Sequence, residues 1–321
     1  MKSVSFFKII YSILIFTLIY MWSVYIMDYY TAGDQIIYNR FYKEAFNLSF
    51  LETYILSRGL LDAGEPGFSL IIFYATQYLE RVNFVSVTNA ILAVLLFQSV
   101  NKRQNLWLIF FFLITNYYVS VLFFSAERLK FAAILALIFL KMRPGYLKNV
   151  LLLTPSLFHF QYLLLLPVVI LGLNQEKISS FIRKPSFGLP AMKSFMFIIL
   201  GVCIFTFALR FSATLLNKFF AYSGSADIFD LIRVFILSGF LVFISKDRII
   251  GIFIALYFTS VVLVLGAERI IIMEVGYIFS IIRLLDINRA AAFMLIGSYF
   301  SFKTIAFYGY VFECGHGFVC K

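Results

Sequence analysis

Four arginines in this sequence lie at the ends of apolar segments, where their chemistry suits a phosphorylated ligand: Arg128, Arg210, Arg233 and Arg269. A planar guanidinium donates paired hydrogen bonds to phosphate oxygens, so several of them at one surface would bind a diphosphate. An ionisable side chain inside a bilayer costs about 2.5 to 3.5 kcal/mol at the helix centre, which makes each arginine a candidate functional residue. The alternative is internal pairing with a neighbouring carboxylate, as Glu127 beside Arg128 allows.

Two carboxylates and one histidine are candidates for acid–base chemistry. Asp34 and Glu65 could each act as a general base or bind sugar hydroxyls, both ordinary uses of carboxylates that face a carbohydrate. His159 follows Pro155 within an apolar run and is one of only two histidines. It is either a catalytic base or a buried histidine that hydrogen-bonds a backbone carbonyl.

Motifs for nucleotide and metal chemistry are missing from the sequence. It contains no P-loop, no glycine-rich dinucleotide turn, no HExxH, no paired CxxC and no DxD-like metal pair. Cys314, His316 and Cys320 are too few and too close to the terminus to predict a metal site. We therefore expect an activity that needs no metal, nucleotide or other cofactor.

The elements that must position these residues are apolar helices. Of the 321 residues, 62% are hydrophobic and 20% aromatic, far above the apolar content of an ordinary soluble domain. This composition predicts an all-α polytopic membrane protein, a bundle of about 9–11 transmembrane helices. Hydropathy predicts nine spans directly, at residues 6–27, 84–100, 106–124, 129–140, 195–209, 229–245, 249–265, 270–285 and 290–312.

Basic residues predict the topology, because lysines and arginines in short loops stay on the cytoplasmic side. Lys2 and Lys8 predict a cytoplasmic N-terminus. The later basic loops stay inside only if 65–80 returns to the outer surface and if 150–172 forms a hairpin. A single crossing at 150–172 would flip every later loop. The formal net charge of +11 is thus assigned to the cytoplasmic loops and not to nucleic acid.

The hairpin alternative gathers the candidate residues on the outer side. It places six of them there: Asp34, Glu65, Arg128, Arg210, Arg233 and Arg269. A single crossing would move the last three arginines to the opposite face. With the hairpin, the C-terminus lies outside, where Cys314 and Cys320 either form a small disulfide loop or remain two unpaired thiols.

A polar stretch rich in aromatic residues follows the first span. We predict that residues 28–82 form an outward-facing amphipathic platform on the membrane surface. Its aromatic side chains, Tyr38 among them, could stack against sugar rings. Because the sequence shows neither a soluble domain nor an internal repeat, residues 1–321 are predicted to form a single integral membrane domain.

Several short motifs follow one another along most of the chain: Gly33-Asp34, Tyr38, Glu65-Pro66-Gly67-Phe68, Arg128 opening the small-residue helix Phe131-Ala-Ala-Ile-Leu-Ala136, Phe158-His159 and Arg269. In this order they resemble the EpsG/Wzy-like polysaccharide polymerase family. Two positions depart from its pattern. Leu129 follows Arg128 where a polar amide is expected, and Phe160 follows His159 where a small residue is more usual.

The resemblance implies a metal-independent glycosyltransferase of the bacterial inner membrane. Such a polymerase joins oligosaccharide repeat units carried on undecaprenyl diphosphate at the outer face, for O-antigen of lipopolysaccharide, capsule or exopolysaccharide. It transfers the growing glycan from its lipid diphosphate to a sugar hydroxyl of the incoming unit. The implied partners are the lipid-linked oligosaccharide, the lipid bilayer, a chain-length regulator and a flippase, with no nucleic acid.

The same resemblance suggests a role for each candidate residue. Arg128 and Arg269 would neutralise the leaving diphosphate, which is the electrostatic role that such a group requires. Asp34 or Glu65 would orient or deprotonate the acceptor, and His159 is the alternative base. The remaining candidates are Arg210 and Arg233 for the diphosphate and Tyr38 for the sugar.

Three other functions remain open at the level of sequence. A flippase or transporter of lipid-linked oligosaccharides would have ionisable residues near mid-membrane, where Lys303 is the main charge, and internal repeats. Another lipid-dependent glycosyltransferase or an O-antigen ligase would share the donor chemistry and differ in the acceptor. A membrane acyltransferase would need a well-placed catalytic histidine, for which His159 is the candidate.

Overall fold

Helices are the regular secondary structure in all the parts of the chain that the computed structural model describes. These parts are residues 6–62, 64–99, 113–142, 146–160, 162–173, 228–245, 248–265, 271–272, 274–275 and 287–318, and they contain no strand. The chain divides into two compact units, one formed by Met1–Tyr162 with Asp286–Lys321 and the other by Leu163–Leu285. The prediction of one membrane domain over 1–321 is not decided by this division.

The helices of the first unit are α1 Phe6–Tyr29, α2 Asp34–Ala45, α3 Phe50–Leu61, α4 Pro66–Tyr78, α5 Arg81–Ser99, α6 Tyr117–Phe124, α7 Glu127–Lys141, α8 Tyr146–Leu151, a 3₁₀ turn Thr154–Leu157 and, after the second unit, α12 Ile287–Cys314. Helix α9, Tyr162–Leu173, leads into the second unit, which contains α10 Ile228–Ile244 and α11 Arg248–Leu265.

Helices α1 and α5 are the two described helices that are long and apolar enough to cross a membrane. They pack against each other, and Asn89 of α5 donates a buried hydrogen bond to Ser23 of α1 at 3.1 Å. Ile13 of α1 leaves its side chain exposed, as a helix that faces lipid would. These two helices agree with the spans predicted at 6–27 and 84–100.

Helices α2, α3 and α4 form a short layer after the first span. Ser49 and Glu52 cap α3 reciprocally, since the serine hydroxyl accepts from the N–H of Glu52 and the carboxylate accepts from the N–H of Ser49. Pro66 begins α4, where its missing N–H costs no helical hydrogen bond. The layer and α7 share one buried core. The residues of this core are Tyr38, Phe41, Tyr42, Ala45, Phe68, Ile72 and Phe131.

The predicted span at 106–124 is not one continuous helix in its described part. Asn116 has an extended backbone, and its side-chain oxygen accepts from the N–H groups of Tyr118 and Val119 at 3.0 and 3.2 Å. An asparagine that caps a helix in this way starts a new one, so α6 begins at Tyr117. Helix α7 follows after the two-residue connection of Ser125 and Ala126.

The region at 150–172 is also broken into pieces. Helix α8 ends at Leu151, the 3₁₀ turn contains Pro155, and α9 begins only at Tyr162. A proline in this position cannot donate the hydrogen bond that would continue α8. The break agrees with a segment that does not cross as one straight helix, while the choice between hairpin and single crossing stays a prediction.

Helices α10 and α11 pack against each other, and their bounds nearly match the spans predicted at 229–245 and 249–265. The span predicted at 195–209 lies outside the described residues. Helix α12 is longer than the predicted span at 290–312.

Cys314 at the end of α12 is disulfide-bonded, which excludes a free thiol at this residue. The other two cysteines lie outside the described residues.

Candidate active site

Glu65 brings three of the predicted site residues together. Its carboxylate accepts a hydrogen bond and ion pair from Arg128 Nη1 at 3.0 Å through Oε2. Its other oxygen, Oε1, lies 3.1 Å from His159 Nδ1. The carboxylate is 5% exposed, the arginine 20% and the histidine 14%, so the cluster is shielded but reachable.

Three different elements supply these side chains. Glu65 is the residue before α4, Arg128 is the second residue of α7, and His159 follows the 3₁₀ turn. The backbone N–H of His159 donates to the carbonyl of Pro155 at 3.1 Å, which fixes the residue against the turn. The cluster therefore lies where elements begin or end and not in the middle of a helix.

Gly67 allows the turn to approach α4 closely enough for this contact. A Cβ atom at this position would lie 2.9 Å from the carbonyl oxygen of Leu157 and 2.9 Å from the ring of Phe158. Both distances are shorter than a carbon atom tolerates without displacement. The Glu65-Pro66-Gly67 motif thus combines the carboxylate, the helix start and the close approach in three consecutive residues.

Tyr38 is the fourth predicted residue in the cluster. It lies on α2, is buried, and interacts electrostatically with the guanidinium of Arg128. Burial raises the pKa of Tyr38 to about 12, although the charge of Arg128 opposes the shift. The phenol is therefore neutral at ordinary pH. Its ring packs edge-on to Phe68 in the core, and the stacking of Tyr38 against a sugar ring stays a prediction.

The electrostatics of Glu65 favour a carboxylate over a neutral acid. Burial acts to raise the pKa of Glu65, but the hydrogen bond with His159 and the charge of Arg128 outweigh it and lower the pKa to about 2. A carboxylate beside Nδ1 favours the tautomer that carries its proton on Nδ1, and it increases the basicity of Nε2. Glu65 is thus suited to orient His159 as a base.

A second buried cluster adjoins the first, and the sequence reasoning missed its central residue. Arg81, the first residue of α5, pairs with Glu127 at 2.5 Å between Nη2 and Oε1. The side chains are 8% and 0% exposed. The other oxygen of Glu127 accepts from the hydroxyl of Tyr42 at 3.0 Å. Arg128 and Glu127 do not form the internal pair that their adjacency allows, because Arg128 pairs with Glu65 and Glu127 pairs with Arg81.

One signal in the sequence could have revealed Arg81. The positive-inside rule predicts that the start of α5 lies outside, where an arginine is an exception. An arginine at the outer end of an apolar span needs an anionic partner. An arginine that departs from the positive-inside rule, as Arg81 does, therefore indicates a buried ion pair.

Of the remaining predicted residues, Asp34 is the one that the described first unit contains, and it does not join the cluster. Asp34 is exposed at the start of α2 and forms no hydrogen bond or ion pair with Glu65, Arg128 or His159. Arg233 is half-buried on α10 in the second unit. Arg210 and Arg269 lie outside the described residues.

Comparisons with protein-family models, curated proteins and solved structures find no match for this chain. Within the part of the chain that the structure describes, no three His, Cys, Asp or Glu residues are grouped so that they could hold a metal ion. The resemblance to the EpsG/Wzy-like family stays a prediction from the sequence motifs.

Proposed function

We propose that the protein is a glycosyltransferase that uses a lipid-diphosphate-linked glycan as donor, and more specifically a polysaccharide polymerase at the outer face of the bacterial inner membrane. The observation that carries the proposal is the bridge that Glu65 makes between Arg128 and His159. It combines a guanidinium suited to a diphosphate with an oriented base suited to a sugar hydroxyl, the two functions that this transfer needs.

The membrane setting is part of the same proposal. Helices α1 and α5 supply two candidate spans, and we propose that further apolar helices complete a polytopic bundle with a cytoplasmic N-terminus. Support comes from α10 and α11, which expose large apolar side chains such as Phe235, Ile236, Phe253 and Leu256. Exposed apolar area of this kind is expected where a helix faces lipid.

In the proposed reaction, the hydroxyl oxygen of the incoming sugar forms a bond with the anomeric carbon of the donor glycan. The bond between that carbon and the diphosphate oxygen breaks, and the lipid diphosphate leaves as an anion. Arg128 stabilises the charge that develops on the leaving group. His159 takes the hydroxyl proton on Nε2, while Glu65 holds the imidazole and stabilises the cation that forms.

Deletion of the gene and electrophoresis of the surface glycan test this function. A polymerase predicts loss of the long-chain ladder while single repeat units are still displayed. Loss of all units would instead support a flippase or a ligase, and an unchanged ladder would contradict a role in glycan assembly.

Replacement of Arg128 by lysine tests the proposed role of the guanidinium. Lysine keeps the charge but cannot donate paired hydrogen bonds, so complementation with Arg128→Lys should fail to restore the ladder. Arg40→Lys is the matched control, because Arg40 is an exposed arginine on α2 that pairs with Glu44 of the same helix. Full restoration by Arg128→Lys would remove paired phosphate contacts from the mechanism.

A flippase of lipid-linked oligosaccharides is the second candidate, and one observation favours it. Lys130 is fully buried on α7 and donates to Asn89 Oδ1 at 2.7 Å and to the carbonyl of Phe123 at 3.2 Å. A buried cation inside an apolar helix is a feature of transport pathways. The deletion experiment separates the two candidates, because a missing flippase would abolish display of single units as well.

A further inference from the structure

Part of the packed side of α2 is polar, although Phe41 and Ala45 of the same helix lie in the aromatic core. Gln35, Tyr38 and Tyr42 are buried, Asn39 is half-buried, and the four recur at the spacing of one helical face. Gln35 also donates to the carbonyl of Phe124 at 2.7 Å. A helix that only covered a core would not need an amide at Gln35 and at Asn39, so this strip of α2 contacts polar groups as well as the core.

Arg81 contacts this whole face. Its Nη1 donates to Asn39 Oδ1 at 2.5 Å, and its Nη2 donates to Gln35 Oε1 as well as to Glu127. The guanidinium carbon lies 5.8 Å from the ring centre of Tyr38 and 5.4 Å from that of Tyr42, within the range of a cation–π interaction. One arginine therefore fixes the rotation of α2 about its own axis.

Glu127 completes this arrangement from α7. Arg81 and the hydroxyl of Tyr42 occupy its two oxygens, and its side chain is fully buried. The side chains of Glu127 and Arg81 are 0% and 8% exposed, which leaves almost no surface that a ligand could contact. An ion pair that is fully buried is weak evidence for stability, because apolar replacements of similar size are often as stable or more so. A role of the pair in orienting α2 and Tyr38 explains its burial better than a role in stability.

Tyr38 connects the pair to the proposed active site. Its ring packs against Arg81, and its hydroxyl interacts with the guanidinium of Arg128, the residue next to Glu127 in α7. The direction of the remaining N–H groups of Arg128 depends on the two partners that it already has, Glu65 and Tyr38. A shift of α2 would change one of these partners and leave the other in place.

We infer that Arg81 and Glu127 are positioning residues that hold Tyr38 against Arg128 and thereby set the affinity of the site for a lipid diphosphate. The inference rests on the proposed function, because it gives Arg128 the diphosphate as its ligand. It adds Arg81 and Glu127 to the site. Their ion pair acts on the guanidinium of Arg128 through Tyr38.

Binding of undecaprenyl diphosphate to the purified full-length protein in detergent micelles tests the inference. Glu127→Gln keeps the shape of the side chain but removes the charge that holds Arg81, and it should weaken binding about tenfold or more. Tyr38→Phe should weaken binding to a similar degree. The control is Glu44→Gln, which breaks the exposed Arg40–Glu44 pair of the same helix and should change binding less than about twofold.

The double variant Glu127→Gln/Tyr38→Phe separates positioning from general damage. If both residues act through one contact, the double variant should bind about as weakly as the weaker single variant and not as the product of both effects. Multiplied effects, or unchanged binding in Glu127→Gln, would overturn the inference. If the wild-type protein does not bind the lipid diphosphate at all, the proposed function fails as well, and that outcome is recognised before any variant is made.

Tyr42→Phe gives the same test if Glu127→Gln does not fold. It removes only the hydroxyl that donates to Glu127 Oε2 and keeps the ring under Arg81. A smaller loss of affinity, about twofold to fivefold, is expected, and it should disappear in the Tyr38→Phe background. A loss of equal size in that background would contradict the route through Tyr38.

Discussion

Glu65 uses both of its oxygens, one for Arg128 and one for His159, so its charge is tied to the structure as well as to the proposed chemistry. A free glutamate would gain a proton near its usual pKa, but here the pKa is lowered to about 2. A group with a lowered pKa contributes stability above its unfolded-state pKa, and that contribution is lost as the pH falls toward the folded-state value.

Glu65→Gln should remove this pH dependence. In the wild-type protein the stability supplied by the charge is complete above about pH 5 and falls between about pH 4.5 and pH 2. The variant should be less stable at pH 7, by about 1–3 kcal/mol, because Arg128 loses its anionic partner. Thermal unfolding in detergent from pH 3 to pH 7 measures both effects. A wild-type melting temperature that falls with acid no more than that of the variant would contradict this account.

His159→Gln should affect the rate more than binding. Glutamine can hydrogen-bond Glu65 but cannot accept a proton, so polymer synthesis should fall by about 10²–10⁴-fold, the usual contribution of a general base. Affinity for undecaprenyl diphosphate should stay within about threefold, because Arg128 is untouched. A direct assay with a lipid-linked repeat unit, combined with the binding measurement, distinguishes the two effects. Full activity of the variant would exclude His159 as the base.

The residue types of this site were predictable from the sequence, but their partners were not. Glu65, Arg128 and His159 stand out because charged and imidazole side chains are rare in this composition. Which carboxylate meets which arginine depends on how α4, α7 and the 3₁₀ turn pack, and local sequence carries no such information. Glu127 pairs with Arg81, which is 46 residues away, and not with its neighbour Arg128.

At the scale of elements, the site depends on the contact between α4 and the 3₁₀ turn. Both are short, and each has a proline at its start. The corresponding regions, 65–80 and 150–172, are apolar enough to suggest membrane segments, but their prolines and polar caps limit the length of each helix. The break at Asn116 was missed for a related reason, since one capping side chain does not change the hydropathy of a long apolar run.

Gly67→Ala should separate these two elements. The added Cβ would meet the carbonyl of Leu157 and the ring of Phe158 at 2.9 Å, and the carbonyl belongs to the backbone and cannot rotate away. We expect a loss of about 1–3 kcal/mol in the free energy of unfolding and a loss of polymer, because the turn carries His159. Unfolding in detergent and complementation of the deletion measure the two effects.

Gly59→Ala is the matched control for this change. Gly59 lies inside α3, and a Cβ atom there would meet nothing within 4 Å. Alanine is the better helix former, so the control should be unchanged or more stable by about 0.5–1 kcal/mol, with full activity. If both alanine variants behave alike, close approach at Gly67 is not what positions the histidine.

At the scale of the whole molecule, the contacts around Glu65 separate the candidate residues into those that depend on the predicted topology and those that do not. Glu65, Arg128, His159 and Tyr38 meet in one unit, so they share one side of any membrane whatever the later chain does. Only the three later arginines depend on the path of 150–172. The proposed core of the site is therefore independent of the hairpin, while a role for Arg210, Arg233 or Arg269 is not.

Reporter fusions after residue 184 decide that path. If 150–172 is a hairpin, the basic loop that follows stays in the cytoplasm, so a fused green fluorescent protein should fluoresce and a fused alkaline phosphatase should be inactive. Fusions after residue 103 serve as the cytoplasmic control, and fusions after residue 64 serve as the outer-face control. Active phosphatase at 184 would show a single crossing and would place Arg210, Arg233 and Arg269 on the side opposite Arg128. In that case Arg128 would face the diphosphate without them, and Arg269→Lys should leave the polymer ladder intact while Arg128→Lys still abolishes it.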